Sequence, residues 1–390
     1  MSTRTCCGPA RPSRQPGDGR TPAGLPRTAR EEAMERIFVK RAWYMVAWSD
    51  EIAAGDKHRV MVMNAPIVLY RDTAGRLVAL EDRCCHRAAP LSIGRIEGDD
   101  LRCMYHGLKF DRTGRCIEIP GQDRIPPHAC VRSYAVTEGG GWVWIWMDDP
   151  ASADPDLIPP VRAVDDPAWI FRRGHLDYDA NYMLINDNLL DFSHLSYVHE
   201  NTFGDSPLFA LTRPRISKLD RGVRISRWLR DMPMPRTSLK GGSGKTDRWM
   251  TYDFLVPGAL LMTSGTYPAG TAERCGDQAP DGVDPIEASC TCQLILPITD
   301  TTARYFFTNG PSSRTGSAEQ AEHAMQLTLR AFDEDKEMIE AQSRTLSLDP
   351  YVKMVPVSAD AALSMFRWKM NDLMKAEAEQ AEPGTEGAVA

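Results

Sequence analysis

The sequence predicts an α+β protein in which an all-β domain precedes a larger antiparallel sheet packed against helices. Three observations support this fold class. The chain has 390 residues, a length typical of two domains with a core each. Short apolar runs alternate with turn residues over residues 36–150. Long amphipathic patterns of helical period occur only towards the C-terminus.

The N-terminal elements follow from composition and spacing. Residues 1–35 are rich in Pro, Gly and Arg and almost lack aliphatic side chains, so we expect a disordered N-terminal extension. An all-β domain is expected over residues 36–150, because its strand-like runs are closely spaced and separated by turn residues. These runs predict strands at 60–63, 67–70, 77–80 and 142–147.

The second domain is expected over residues 151–376. It follows a stretch, 150–160, that holds four prolines and is typical of a linker. A helix is predicted over 181–199, and two more over 318–346 and 361–376, after which residues 377–390 form a disordered tail. Strand-like runs predict a sheet from 223–228, 249–255, 259–262, 290–296 and 304–308.

Composition excludes several classes of function. The net charge of −7 comes without a basic stripe, so we expect no nucleic-acid partner. No run of eighteen apolar residues occurs, so no membrane span is expected. The N-terminus lacks the apolar segment of a signal peptide, which favours a cytoplasmic protein.

Two Cys/His pairs form the first metal-binding pattern. Cys84-x-His86 and Cys103-x-x-His106 together offer two thiolates and two imidazoles. These four ligands suit one tetrahedral zinc ion, or a [2Fe–2S] cluster with two cysteines on one iron and two histidines on the other. Zinc fingers usually group two cysteines before two histidines. The alternating order here therefore favours the cluster, and both Cys/His pairs are expected at hairpin tips of the all-β domain.

A second pattern lies in the predicted helix over 181–199. Asn188, Asp191 and His194 are three residues apart and share one helical face, whereas His199 is turned away by about 140°. Both imidazoles reach one ion only if the helix ends, tightens or bulges between them. Two histidines and one carboxylate form the facial triad of non-haem Fe(II) oxygenases. Spacing alone does not choose the carboxylate among Asp333, Glu334 and Asp335.

The two patterns together resemble the Rieske non-haem iron oxygenases, above all the catalytic component of vanillate O-demethylase. The resemblance rests on Cys84-x-His86, Cys103-Met-Tyr-His106-Gly107-Leu-Lys-Phe110, and Asn188-x-x-Asp191-x-x-His194-x4-His199, and it extends over residues 36–350. It implies an N-terminal Rieske [2Fe–2S] domain and a C-terminal helix-grip-like antiparallel sheet with helices that hold mononuclear Fe(II).

The resemblance also implies roles for single residues. Cys84, His86, Cys103 and His106 correspond to the cluster ligands. The mononuclear iron ligands correspond to His194, His199 and Asp335. Asp191 matches an aspartate that links His106 of one subunit to His194 of its neighbour, and Asn188 matches a polar residue close to the iron. A head-to-tail homotrimer is therefore expected, because the two metals of one chain lie too far apart in this family.

The expected function is that of a terminal oxygenase, which uses O2 for O-demethylation or hydroxylation of an aromatic or other cyclic small molecule. No flavin or nicotinamide fingerprint occurs, so a separate reductase of flavin or ferredoxin type must supply electrons from NAD(P)H. A ring-dihydroxylating dioxygenase and an electron-transfer Rieske protein are the alternatives. The pocket is expected from 250–265 and 290–308, with apolar walls and with Arg248 or Arg304 as partners for a substrate carboxylate. The expected walls are Leu260, Leu261, Met262 and Leu294.

Overall fold

The computed structural model describes residues 38–241, 244–349 and 351–381. Contacts divide these residues into two compact units. The first contains the described residues up to Glu138 together with 143–156 and the last helical turns from Ala376. The second contains 139–142 and most of 157–375. The expected extension over 1–35 and the final residues of the chain lie outside the described residues.

The first unit is built from two sheets. A six-stranded sheet has the order β1-β10-β9-β4-β3-β2, and a smaller sheet has the order β5-β6-β7-β8. All four predicted strands are confirmed, as β2, β3, β4 and β10. The strand bounds are β1 (Trp43–Trp48), β2 (Lys57–Val62), β3 (Ala65–Arg71), β4 (Leu77–Glu81), β5 (Arg95–Glu97), β6 (Asp100–Arg102), β7 (Lys109–Phe110), β8 (Cys116–Glu118), β9 (Ser133–Gly139) and β10 (Trp142–Trp146).

The prediction missed β1, β9 and the short strands of the smaller sheet. β1 is buried along its whole length and therefore lacks the apolar–polar alternation that marks a half-buried strand. The four strands of the smaller sheet have two or three residues each, too few for any period to show.

The second unit is a seven-stranded antiparallel sheet with the order β11-β17-β16-β15-β14-β13-β12. The five predicted strands are confirmed, and β11 and β12 are additions at the two edges. The strand bounds are β11 (Arg172–Tyr178), β12 (Arg215–Leu219), β13 (Gly222–Met232), β14 (Thr246–Leu255), β15 (Ala259–Pro268), β16 (Glu287–Pro297) and β17 (Ala303–Pro311).

Helices accompany this sheet. The longest of the described helices, α4 (Ala318–Leu348), begins after Ser317, whose hydroxyl caps the backbone N–H of Gln320. Its Phe332 ring packs against the rings of Tyr305 and Phe307 on β17, with centroids 5.0 and 4.9 Å apart. The α-helix bounds are α1 (Tyr182–Leu190), α2 (Leu208–Leu211), α3 (Thr271–Arg274), α4 (Ala318–Leu348) and α5 (Ala361–Ala381), and 3-10 helices cover Ser49–Glu51, Pro150–Ser152, Pro155–Leu157, Phe192–Ser196 and Ser358–Asp360.

The predicted helix over 181–199 is not continuous. α1 ends at Leu190, and a 3-10 helix, Phe192–Ser196, follows after Asp191. Asp191 has extended backbone angles, and its carboxylate accepts hydrogen bonds from the backbone N–H and the hydroxyl of Ser193. This local side-chain bonding competes with the helix and ends it.

The C-terminal helix is longer than predicted. α5 continues to Ala381, so residues 377–381 are helical and not part of a disordered tail. Glu377 explains the difference, because its carboxylate accepts hydrogen bonds from the backbone N–H groups of Lys40 and Arg41. In the part of the chain that the structure describes, no helix has the length and apolar character that crossing a membrane requires.

Candidate metal centres

The first metal-binding group lies on two loops of the first unit. Cys103 and His106 are at the tip of the hairpin between β6 and β7, as expected. Cys84 and His86 were also expected at a hairpin tip, but they lie in the connection from β4 to β5, which joins the two sheets. This connection does not pair its flanking strands, and the sequence pattern alone did not distinguish it from a hairpin.

The two loops share one backbone design. The N–H of Cys84 donates to the carbonyl of Ala89, and that of Cys103 donates to Leu108, both at 2.8 Å. In return, the residue four positions after each cysteine donates to the cysteine carbonyl. These residues, Ala88 and Gly107, have φ of 55° and 78°. Left-handed backbone at equivalent positions therefore turns both loops towards the same point.

The four side chains converge with an asymmetry of burial. Cys84 and Cys103 are 2% and 1% exposed, whereas His86 and His106 are exposed. The two imidazole rings have centroids 4.5 Å apart. Burial raises the pKa of the Cys103 thiol, so bound metal charge is needed to hold its thiolate. Such a donor set fits a Rieske cluster, with a buried cysteine side and a histidine side at the surface.

A second group of donors lies beside the long helix α4. His194, on the 3-10 helix, and His199, just after it, face Asp335 on α4, and one ligand atom from each lies within 4.8 Å of the others. The Nε2 atoms of His194 and His199 are 3.4 and 3.2 Å from the carboxylate oxygens of Asp335. The end of α1 at Leu190 makes this convergence possible, because a continued helix would turn the two imidazoles apart.

Hydrogen bonds orient both imidazoles. His199 Nδ1 donates to Glu334 Oε2 at 2.8 Å, and Thr202 Oγ1 donates to the same oxygen at 2.6 Å. His194 Nδ1 donates to the backbone carbonyl of Asp191 at 2.6 Å. With the proton on Nδ1, each Nε2 lone pair is directed to the space beside Asp335. This arrangement is typical of histidines that bind a metal.

The two imidazoles differ in their proton affinity. Burial lowers the pKa of His194. Burial also acts to lower the pKa of His199, but its hydrogen bonds with Asp335 and Glu334 outweigh burial and raise that pKa overall. Two nitrogens and a nearly buried carboxylate, all hydrogen-bonded on their outer sides, fit a divalent metal ion with open positions.

The two remaining predicted residues occupy different places. Asn188 Nδ2 donates to Asp335 Oδ1 at 3.0 Å, so the amide lies next to the metal-binding group. Asp191 contacts His194 through its backbone carbonyl, while its carboxylate is bonded to Ser193. The described residues therefore contain no hydrogen bond between the Asp191 carboxylate and the His194 imidazole.

A cavity of about 170 Å³ opens beside the second group. It lies between the 3-10 helix, α4 and the inner faces of β14, β15 and β16. The predicted segments line it, but Met262 is the only lining residue among the four apolar side chains that were expected. Polar side chains replace the others along the sheet: Arg248, Ser264, Thr266, Glu287, Ser289, Thr291 and Gln293.

Only one of the two candidate arginines lines the cavity. Arg248 lines the cavity and pairs with Asp205, Nη2 to Oδ2 at 3.0 Å. Arg304 forms two hydrogen bonds with Asp177 and does not line the cavity. The expectation for Arg304 as a substrate partner is therefore wrong.

Comparison with known proteins shows in which protein family the two metal centres occur together. Residues 42–135 match the Rieske [2Fe-2S] domain, and residues 178–376 match the vanillate O-demethylase oxygenase C-terminal domain. The chain belongs to the Rieske non-haem iron oxygenases. As a Rieske monooxygenase, it is the terminal oxygenase component of a multicomponent system and takes electrons from a separate reductase.

Individual relatives cover nearly the whole chain. The iron–sulfur subunit of the toluene-4-sulfonate monooxygenase system of Comamonas testosteroni is 43% identical over 346 residues, which is 87% of this chain and 98% of the relative. The vanillate O-demethylase oxygenase subunit of Pseudomonas sp. strain HR199 is 32% identical over 354 residues, 89% of this chain and 98% of the relative.

A solved structure supports both cofactors. Dicamba monooxygenase with non-heme iron and dicamba is similar to this chain with a TM-score of 0.72 and 27% identity, over 88% of this chain and 99% of that one. A Rieske domain and a His, His, Asp group are both present here. The cofactors of this Rieske oxygenase are thus a [2Fe–2S] cluster and mononuclear iron.

Proposed function

We propose that this chain is a cytoplasmic monooxygenase that O-demethylates or hydroxylates an aromatic compound with a single ring. The observation that carries the proposal is the meeting of His194, His199 and Asp335 at the edge of a small cavity. Relatives act on toluene-4-sulfonate, vanillate and dicamba, according to their names. A role in the catabolism of aromatic compounds follows.

The size of the cavity limits the substrate. Pockets for drug-sized ligands have volumes of roughly 300–1,000 Å³, whereas a cavity of roughly 150 Å³ accepts benzene. The cavity here has about 170 Å³, a size that favours one substituted ring. Phe192 and Met262 provide apolar contacts for such a ring.

The protein's own side chains would hold and orient the iron. His194, His199 and Asp335 are the proposed ligands. Asn188 donates a hydrogen bond to the carboxylate of Asp335, which would also bind the iron. Bound Fe(II) would supply open positions for dioxygen, which is the oxidant for the C–H bond once the cluster provides electrons. The Glu334 and Asp191 hydrogen bonds keep the two imidazoles turned towards the iron. On a methoxy carbon, hydroxylation gives a hemiacetal that collapses to a phenol and formaldehyde.

The proposed electron route passes between copies of the chain in a homotrimer. Cys84, Cys103, His86 and His106 would hold the cluster, with the histidines at the surface. Large apolar side chains are exposed next to the histidines of both centres, at Met104 and Tyr105 and at Tyr197. Exposed apolar groups at both places support a contact between subunits. Asp191 is the proposed link between His106 of one subunit and His194 of the next.

Product analysis tests the reaction. The purified oxygenase is combined with a surrogate flavin- or ferredoxin-type reductase, NADH and a series of methoxy- and methyl-substituted benzenes and bicyclic compounds. We expect one formaldehyde per O2 consumed from a methoxy substrate, or one hydroxyl group on a methyl carbon. A cis-diol as the main product would instead show a ring-dihydroxylating dioxygenase. Electron transfer without any product would show a Rieske carrier.

A further inference from the structure

One row of side chains at an end of the cavity carries both of the charges on the sheet wall. The strand register places Arg248 of β14 opposite Thr266 of β15, and Thr266 opposite Glu287 of β16. All three side chains line the cavity and are 3–7% exposed. We call these three residues the charged row. Because side chains alternate along a strand, the next residues on this face are two positions further on.

The cation of the charged row is already paired. Arg248 Nη1 and Nη2 both donate to the carboxylate of Asp205, at 3.4 and 3.0 Å, and Nη2 also reaches the carbonyl of Pro233. Asp205 is itself nearly buried, with 6% of its side chain exposed. A buried pair of this kind carries no net charge, although the Arg248 Nε has no hydrogen-bond partner among the described residues and remains a donor.

The anion of the charged row is not paired. Within 38–241, 244–349 and 351–381, the Glu287 carboxylate accepts one side-chain hydrogen bond, from Ser238 Oγ at 2.7 Å. No Lys, Arg or His nitrogen in these ranges lies within 4.0 Å of it. The ammonium group of Lys240, at the rim, donates instead to the carbonyl of Ile286. A carboxylate that is 94% buried without a cation is costly unless a donor reaches it.

The charged row is separated along the sheet from the row of side chains next to Phe192. Phe192, two residues before His194, stacks on Tyr252, and Tyr252 shares a row with Met262 and Thr291. Thr291 and Glu287 are four residues apart on β16, a separation of roughly 13 Å along the strand. Between these rows lies the Ser264–Ser289 pair, with hydroxyl oxygens 2.7 Å apart.

We propose that Glu287 is a substrate-binding residue that selects an aromatic ring whose distal substituent is an N–H donor, either an ammonium or a primary amide group. This inference rests on the proposed function and names the substrate class of the same cavity. The carboxylate accepts the donor in a charge-assisted hydrogen bond, and Thr266 lies beside it in the row. A carboxylate or sulfonate at this place faces the unpaired charge of Glu287 and is repelled.

Binding measurements on the anaerobic holoenzyme test the proposal without turnover. The probes share one p-tolyl ring and differ at the distal group: 4-methylbenzylammonium, 4-methylbenzamide, 4-methylbenzoate and toluene-4-sulfonate. Wild-type protein is expected to bind the ammonium or amide probe at least about tenfold more tightly than either anion. Tighter binding of the benzoate or the sulfonate by the wild-type protein overturns the proposal, and this comparison needs no variant.

The variant Glu287→Gln supplies the second arm. It removes the charge and keeps the shape, so binding of the ammonium probe should weaken roughly tenfold to a hundredfold, and binding of the two anions should strengthen. The matched control is Asp284→Asn, which removes an 89% exposed charge outside the cavity. It should change neither the binding of the ammonium probe nor the binding of the two anions. Equal losses for all four probes in Glu287→Gln, at an unchanged melting temperature, also contradict selection by Glu287.

Failure of the proposed function is distinguishable from failure of this inference. Oxygen uptake with a bound probe and the surrogate reductase reports on the oxygenase activity. A protein that prefers the ammonium probe but consumes no oxygen supports Glu287 and contradicts the proposed reaction. A protein that turns over the sulfonate and binds the ammonium probe weakly supports the oxygenase and contradicts the selection.

Discussion

Replacement of Glu334 by alanine should weaken binding of the mononuclear metal without displacing any of its ligands. Glu334 Oε2 accepts the Nδ1 proton of His199 at 2.8 Å and the hydroxyl proton of Thr202 at 2.6 Å. This carboxylate thus keeps the His199 Nε2 lone pair turned towards Asp335, from which it is 3.2 Å away. The alanine variant leaves the ring free to rotate and to change its tautomer.

The size of the effect follows from the hydrogen bond. A hydrogen bond to a charged group contributes about 1.5–3 kcal/mol. The Glu334 side chain is 31% exposed, so the lower end of this range applies, about 1.5 kcal/mol. That free energy corresponds to roughly tenfold weaker metal binding. Glu334→Gln keeps an acceptor without the charge and should lose less.

The assay is competition between the anaerobic protein and a chelator for Fe(II), followed by metal analysis. Thr202→Val is one control, because it removes the second donor and leaves the carboxylate on His199. Glu337→Ala is the matched control for charge, because Glu337 lies on the exposed side of α4. If Glu334→Ala retains wild-type affinity within twofold, the carboxylate does not position His199 and the reasoning is refuted.

Three further predictions concern other parts of the molecule. Asp191→Ala should leave the rhombic EPR signal of the reduced cluster intact and abolish product formation, and normal turnover would exclude Asp191 from the electron route. Arg304→Met should leave substrate affinity unchanged and lower the free energy of unfolding at pH 7 by at most about 1 kcal/mol. Because Arg304 lowers the pKa of Asp177, this difference should shrink as the pH falls from the ordinary value of 3.8 through the lowered pKa of Asp177 in the folded protein, and a difference in urea titrations that grows as the pH falls would contradict the pairing. Met262→Trp should fill the cavity and lower turnover of single-ring substrates on the order of a hundredfold at unchanged iron content, and unchanged kcat/KM would place the substrate elsewhere.

The metal motifs were readable in the sequence because most of their ligands are local. Cys84 and His86 share one loop, and Cys103 and His106 share another, so spacing alone joins them into pairs. The third carboxylate was different, because it comes from a helix far along the chain. Neighbouring residues on a helix differ by about 100° in direction, and only packing decides which one faces inward. The packing of Phe332 on β17 directs Asp335 to the histidines.

The role of Glu334 could not be predicted for the same reason. Spacing made it an alternative metal ligand, whereas the structure places it behind His199 as a hydrogen-bond acceptor. Its one usable signal is its position directly before Asp335 in an acidic segment of the helix.

For the walls of the cavity, the prediction identified the correct strand segments but chose side chains on the wrong face of the strand. The prediction chose Leu294 on β16, but its neighbour Gln293 lines the cavity. A shift of one residue moves a strand side chain to the opposite face, and apolar character did not identify the cavity face. The polar face is supported by hydrogen bonds that join neighbouring strands, such as that from Tyr305 on β17 to Gln293 on β16 at 2.6 Å.

The most direct test of the two-centre account is iron content measured together with the cluster signal in wild-type protein and in Asp335→Ala. We expect about three iron atoms per chain in the wild type and about two in the variant. The rhombic EPR signal after reduction should be equal in both, and product formation should be lost in the variant. Two iron atoms per chain in active wild-type protein, or three in Asp335→Ala, would contradict a mononuclear iron held by His194, His199 and Asp335.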